Sequence, residues 1–152
     1  MDQKPRLYIA YGSNMNIEQM ARRCPTAKVV GTAELEDWRL RFKGDNNFSV
    51  ATVEPSAGHK VPILVWEIMP KDEASLDTYE GYPRLYRKEM MLVRIEKVIR
   101  LAMIYIMNAD DLAYGNPSDV YYDTIRTGYI NAGFSPELLK QSVIANMKKE
   151  GK

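Results

Sequence analysis

The 152-residue chain has one cysteine, Cys24, and one histidine, His59, and these two scarcities remove much chemistry at once. A lone thiol forbids an internal disulfide and fits a reducing cytoplasm. One cysteine and one histidine cannot supply the usual Cys/His ligands of a zinc site, so no metal is expected. A Ser-His-Asp or Cys-His arrangement would have to use His59, which sits in Pro-Ser-Ala-Gly-His-Lys and reads as a solvated residue of a loop between strands. Phosphate signatures of the GxxxxGK[ST] or GxGxxG kind are missing. An excess of either charge is missing too. The 21 Lys and Arg against 20 Asp and Glu leave a net charge of +1, which gives no reason to propose nucleic acid or an anionic membrane as partner. The longest apolar run, Leu101 to Met107, is far short of the ~20 residues that span a bilayer. Met-Asp-Gln-Lys-Pro at the start has no apolar signal-peptide core behind it. These absences describe a small cytoplasmic protein, expected to form a single domain over residues 1–152, with no linker or repeat to divide it. If it is an enzyme, its acid/base group is a carboxylate or a tyrosine.

What is present centres on Leu7 to Asn16, Leu-Tyr-Ile-Ala-Tyr-Gly-Ser-Asn-Met-Asn. An apolar strand-like run meets Gly12, Ser13 and Asn14, and a helical pattern begins near Asn16. Gly12 lets another molecule come close to the main chain, and Ser13 and Asn14 can hold a turn through their short polar side chains. Such a strand-to-helix turn leaves backbone N–H groups for an anionic ligand. Taken alone, it is equally an ordinary turn followed by a helix cap.

Further along, a helix is expected over Asn16 to Arg23, with Asn16 as N-cap and Gln19 three residues on. Extended segments follow from Ala27 to Lys43, a turn at Gly44 to Asn47, and a strand from Phe48 to Val53. The Glu54 to Lys60 loop leads to a strongly apolar strand, Val61 to Met69. Acidic residues from Asp72 open a helix that runs to Tyr79, and Gly81 lies just past its end. Strands at Glu89 to Val98 and Arg100 to Met107 form a hairpin around Glu96-Lys97. Pro117 stands at the first position of a helix whose apolar face is Val120, Tyr121, Ile125 and Tyr129. A last helix opens at Ser135-Pro136-Glu137, with Leu139, Val143 and Met147 on one face and Lys148-Lys149 at the end that suits the dipole. Many short strands followed by two helices suggest an α+β domain with a mainly antiparallel sheet or small barrel.

The second stretch of interest is Leu76-Asp77-Thr78-Tyr79-Glu80-Gly81-Tyr82-Pro83. Glu80 falls at the C-terminal end of a predicted helix, where unpaired carbonyls disfavour a charged carboxylate. Tyr79 and Tyr82 could add desolvation, raising its pKa towards the range of a general base. A solvated glutamate beside a C-cap fits the position as well.

Together the two stretches resemble the γ-glutamylcyclotransferase-like, or AIG2-like, family. The hallmark Tyr-Gly-Ser-Asn matches Tyr11 to Asn14, and the context Leu-Asp-x-x-Glu-Gly matches Leu76, Asp77, Glu80 and Gly81. The resemblance continues in Ala51-Thr52-Val53, Val65-Trp66, Tyr86, Tyr105 and Pro117-Ser118 with Tyr121, over about residues 6–145 in family order. It implies a small mixed, mainly antiparallel β-barrel with flanking helices, and a cavity opening near the Tyr-Gly-Ser-Asn loop. It also implies a cofactor-free intramolecular aminolysis. Gly12, Ser13, Asn14 and Met15, next to Tyr11, would hold a small-molecule γ-glutamyl substrate, with Tyr86, Tyr105 and Tyr121 fixing it. Glu80 would take a proton from the substrate's α-amino group and return it to the leaving amine. Some members carry Gly-Gly where this chain has Phe48-Ser49, and a glycine is also replaced in the Val61 to Leu64 region, so either a narrowed cavity or an altered leaving-group side is expected.

Three functions follow from this reading. The first is release of 5-oxoproline from a γ-glutamyl amino acid or amine. The second is removal of a γ-glutamyl protecting group from a larger metabolite. The third is a small-metabolite-binding or regulatory protein on the same fold, without turnover. A homodimer is compatible with the sequence, which contains nothing that shows one.

Overall fold

The computed structural model describes residues 4–45, 47–108 and 111–147. Alternating apolar and polar residues in the first arm and a continuous apolar run at the end of the second build one long hairpin from Lys28 to Ile68 in place of several short strands. Its arms, β2 (Lys28–Lys43) and β3 (Val50–Ile68), pair antiparallel. The loop expected from Glu54 to Lys60 is instead part of β3, and residues 56–59 bulge opposite Asp37 alone. There Gly58, at φ +84°, donates its N–H to Asp37 Oδ1 at 2.9 Å. A bulge of this kind interrupts the ladder without ending the strand. His59 is exposed on it, its Nδ1 2.8 Å from Ser56 Oγ. Of the turn at Gly44 to Asn47, Asn46 lies outside the described residues.

The first strand, β1 (Arg6–Ala10), occupies the centre of the sheet, whose order is β2-β3-β1-β5-β4. It runs antiparallel to β3 and parallel to β5 (Val98–Met107). β4 (Tyr86–Ile95) completes the expected hairpin, with Glu96 at φ 59° in its turn. The sheet is mainly antiparallel, as the sequence suggests, and curls like a barrel without a closing ladder. Its outer strands meet where a Cβ on Gly31 would stand 3.0 Å from Ile95 Cγ2. The core lies between this sheet and the helices, and includes Ile9, Phe42, Ile63, Val65, Met103, Ile125, Tyr129 and Leu139.

Each helix boundary has a local cause. α1 (Ile17–Arg23) is capped by Asn16, whose Oδ1 accepts from Gln19 N–H at 2.9 Å while its Nδ2 donates to Thr124 O at 3.0 Å. α2 (Pro70–Glu80) starts earlier than expected because proline suits the first turn, where its missing N–H has no partner to lose. It ends at Gly81 in the left-handed region, φ 67°. α3 (Asp119–Ala132) begins after Ser118, which accepts from Tyr121 N–H, so Pro117 precedes the cap and does not occupy the first helical position. Val120 is exposed and stands off the buried face of α3. In α4 (Pro136–Met147) the buried face likewise differs from expectation, since Met147 is exposed and Asn146 is buried. Asn146 accepts from Phe42 N–H at 3.0 Å and donates to Phe42 O and Gly115 O, fastening α4 to the end of β2. Lys148 and Lys149 lie outside the described residues. Among those described, no helix is long and apolar enough to cross a membrane.

One contact positions the site. Between β1 and α1 the chain makes a single 3-10 turn, Ser13–Met15, and α3 lies directly on it at Gly128. A Cβ at Gly128 would stand 2.8 Å from Asn16 N, Met15 C and Met15 Cβ, two of which are main-chain atoms. Gly128→Ala is therefore expected to lose about 1–3 kcal/mol of stability, as overpacked sites do. That corresponds to a Tm lower by roughly 2–4 °C per kcal/mol, measurable by thermal denaturation.

Candidate functional site

α2 carries Glu73, Asp77 and Glu80 at spacings that bring them to one face of the helix. The first two are paired. Glu73 meets Arg6 at 2.8 Å and Lys88 at 2.5 Å, and Asp77 meets Lys88 at 2.9 Å and accepts from Tyr105 Oη at 2.6 Å. Glu80 ends the row without an ion pair or a hydrogen bond from any described residue, and it lines a cavity of about 250 Å³. The consequence is a divergence of proton affinities. Burial acts to raise the Glu73 pKa, but its hydrogen bonds from Lys88 and Arg6 prevail and hold it below the usual value. Burial of Glu80 pushes its pKa from 4.5 up to about 7, opposed only by the charge of Arg23. From the sequence, the helix C-terminus and desolvation by Tyr79 and Tyr82 are expected to raise that pKa, and Tyr79 does line the cavity. Desolvation is the dominant cause, and Tyr82 stands outside the cavity, its ring packed on Tyr105 and beneath Lys88.

The opposite wall is the loop after β1. Met15 N–H bonds to Gly12 O at 3.0 Å, so the amides of Ser13 and Asn14 precede the first hydrogen bond of the 3-10 turn. Gly12, Ser13 and Asn14 line the cavity; Met15, expected to do so, does not. It is fully buried, and its amide closes the turn. Side chains hold this loop from several directions. Ser13 Oγ and Tyr79 Oη are 2.7 Å apart, Trp66 Nε1 donates to Asn14 O at 3.0 Å, and Asn14 Nδ2 donates to Tyr8 Oη at 2.9 Å.

Tyr11, Tyr86, Tyr105 and Tyr121 all border the same cavity. Their phenols differ in what they can offer. Tyr11 donates to the Tyr105 carbonyl at 2.7 Å, Tyr86 to the Ala51 carbonyl and Tyr105 to Asp77, so three protons point into the protein. Tyr121 Oη instead accepts from Ala51 N–H at 3.0 Å, and Tyr8 Oη accepts from Asn14. Those two phenols keep their own O–H to donate into the cavity. Burial raises the pKa of all five, so they remain neutral.

Tyr8 was not singled out in the sequence, because within a central strand it reads as core. Tyr79, expected as a desolvating neighbour of Glu80, also bonds the loop. The wall supposed to hold bulkier residues is also placed differently. Phe48 is exposed, Ser49 is buried, and Val61 and Ile63 belong to the core, whereas Val50 and Ala51 line the cavity.

A family model described as gamma-glutamyl cyclotransferase, AIG2-like, matches residues 8–124. Gamma-glutamylcyclotransferase of Bos taurus is 33% identical over 100 residues, covering 61% of this chain and 50% of its own length. The Homo sapiens protein of the same name is 33% identical over 87 residues, covering 53% and 46%. The chain thus spans about half the length of the curated relatives it matches. A solved structure described as gamma-glutamyl cyclotransferase superposes with a TM-score of 0.80 at 26% identity, over 91% of this chain and 86% of that one.

The raised pKa of Glu80 has a thermodynamic signature independent of any substrate. Its folded value, about 7, lies above the ordinary 4.5, so the folded state binds the proton more tightly and stability falls as pH rises between them. Glu80→Gln is expected to be more stable than the parent at pH 8, by about 3 kcal/mol at most. The difference should vanish below about pH 4.5, where the carboxyl is protonated in both states. Urea denaturation at the two pH values measures it.

Proposed function

Because the chain belongs to the gamma-glutamyl cyclotransferase, AIG2-like family, we propose that it releases 5-oxoproline from a γ-glutamyl amino acid or γ-glutamyl amine, with Glu80 as general acid and base. The observation that carries the reading is the unpartnered Glu80 carboxylate, its pKa raised to about 7, across a small cavity from the Gly12–Asn14 loop. In this reading the N–H groups of Ser13 and Asn14 and the hydroxyls of Ser13, Tyr8 and Tyr121 bind and orient the γ-glutamyl group. Glu80 accepts a proton from the substrate's α-amino group, and the amine nitrogen attacks the γ-carbonyl carbon to form the five-membered ring. As the tetrahedral centre collapses, the bond to the leaving nitrogen breaks and Glu80 returns its proton there. Nucleophile and electrophile belong to one molecule, so the protein's work is to fold the substrate, move a proton and stabilise the oxyanion. A base with a pKa near 7 suits that double role at neutral pH.

At about 250 Å³ the cavity lies near the lower limit for small-molecule sites, which supports a γ-glutamyl amino acid or amine over a bulky metabolite. We further propose a single domain, since helices and strands contribute to one cluster of buried side chains.

The test is 5-oxoproline release from a panel of γ-glutamyl amino acids and amines. The parent is expected to turn over, with kcat/KM rising through an acid limb near pH 7 as Glu80 ionises. Glu80→Gln is expected to lose at least about a hundredfold in kcat. Full turnover by that variant would overturn the mechanism.

A further inference from the structure

Arg23, the last residue of α1, has no part in the reading above, yet it touches both halves of the site. Its Nη1 donates to Asn14 Oδ1 and its Nη2 to Gln19 Oε1 at 3.1 Å. The guanidinium plane lies over the Tyr79 ring, 3.6 Å from the centroid. Tyr79 precedes Glu80 in α2, and its hydroxyl is bonded to Ser13. One side chain therefore joins the binding loop to the end of the helix that carries the carboxylate. We infer that Arg23 is a positioning residue for the reaction at Glu80, fixing the Asn14 amide and the Tyr79 ring in one arrangement and directing an uncompensated positive charge at the site.

Two further observations support this role, which rests on the proposed cyclotransfer. First, Arg23 forms no ion pair with a carboxylate among the described residues; its partners are two amide oxygens and an aromatic face. Its charge is therefore not cancelled locally. Second, of the groups whose charges couple to Glu80, Tyr8 on β1, Tyr11 just after it, Tyr86 on β4 and Tyr121 on α3 are kept neutral by burial, and only Arg23 is charged. On the same helix, Asp77 is already paired with Lys88. Arg23 opposes the burial that raises the Glu80 pKa, which keeps a fraction of the base ionised at neutral pH. The fork geometry matters as well, because a lysine ammonium is a point charge and cannot reproduce two amide contacts and a stacked plane together.

The experiment compares Arg23→Met and Arg23→Lys with the parent. It follows the Glu80 carboxyl by carbon-detected NMR titration and measures kcat and KM for 5-oxoproline release. In Arg23→Met the Glu80 midpoint is expected to rise by about one pH unit, with the acid limb of kcat/KM moving alongside it and kcat falling roughly tenfold to a hundredfold. Arg23→Lys should return the midpoint towards that of the parent while kcat stays low. An unchanged midpoint and kcat in Arg23→Met would overturn the inference. If that variant does not fold, parent-like kcat in Arg23→Lys would do the same. The titration needs no turnover. A shifted midpoint in a protein that releases no 5-oxoproline would refute the proposed function and, with it, the catalytic part of this role. An unshifted midpoint in an active enzyme would refute the role of Arg23 alone.

Discussion

Half-burying a carboxylate without giving it a hydrogen-bond donor from the protein is unfavourable, and the arrangement around Glu80 depends on tolerating that. Helix α2 shows how local the condition is. Glu73 and Asp77 lie on the same face, within two turns, and each has a cation. Glu80 has a ring of neutral phenols. The difference comes from the sheet beneath: β4 supplies Lys88 and β1 supplies Arg6 under the start and middle of the helix, while its end overhangs the tyrosine-lined hollow. Three of those phenols are committed to protein acceptors and cannot turn to solvate the charge, which leaves Tyr8 and Tyr121 to donate into the cavity.

Holding such a group requires walls that do not yield. The loop after β1 is fixed by Trp66 from β3, Tyr79 from α2, Arg23 from α1 and Tyr8 from β1, while α3 presses on its backbone at Gly128. Asn16 caps α1 and at the same time bonds to α3. Residues that would serve as ordinary caps or core aromatics elsewhere thus also set the shape of the cavity.

Much of this fold was legible because its signals are local. Glycine after a helix marks the ends of α2 and α3, Asn16 marks the start of α1, and the Glu96-Lys97 turn marks a hairpin. The Gly12–Asn14 turn and Glu80 could be picked out by motif, and the structure brings them to one cavity. What remained hidden depends on partners distant in the chain. The loop expected between Glu54 and Lys60 is strand because Asp37 across the hairpin accommodates a bulge. Asn146 is buried because the end of β2 and Gly115 need donors and an acceptor that no helical pattern announces. Met15 looked like part of a binding loop until the closeness of Gly128 put it on the inner side. In the sequence Arg23 is only the last residue of a short helix; the positions of Tyr79 and Asn14 give it another meaning.

The central place of β1 makes the site depend on contacts distant in sequence. The strand's neighbours are the second arm of the long hairpin and the second strand of the next one, so Tyr8 pairs with Trp66 and Met103, both distant in sequence. The hairpins can form early from contacts near in sequence, whereas joining them through β1 closes long stretches of chain, the slower kind of step in folding. The loop that follows β1 is held on its inner side by α3, which packs against it at Gly128. The residues that begin the site thus owe their final surroundings to partners far along the chain, Trp66, Met103 and Gly128.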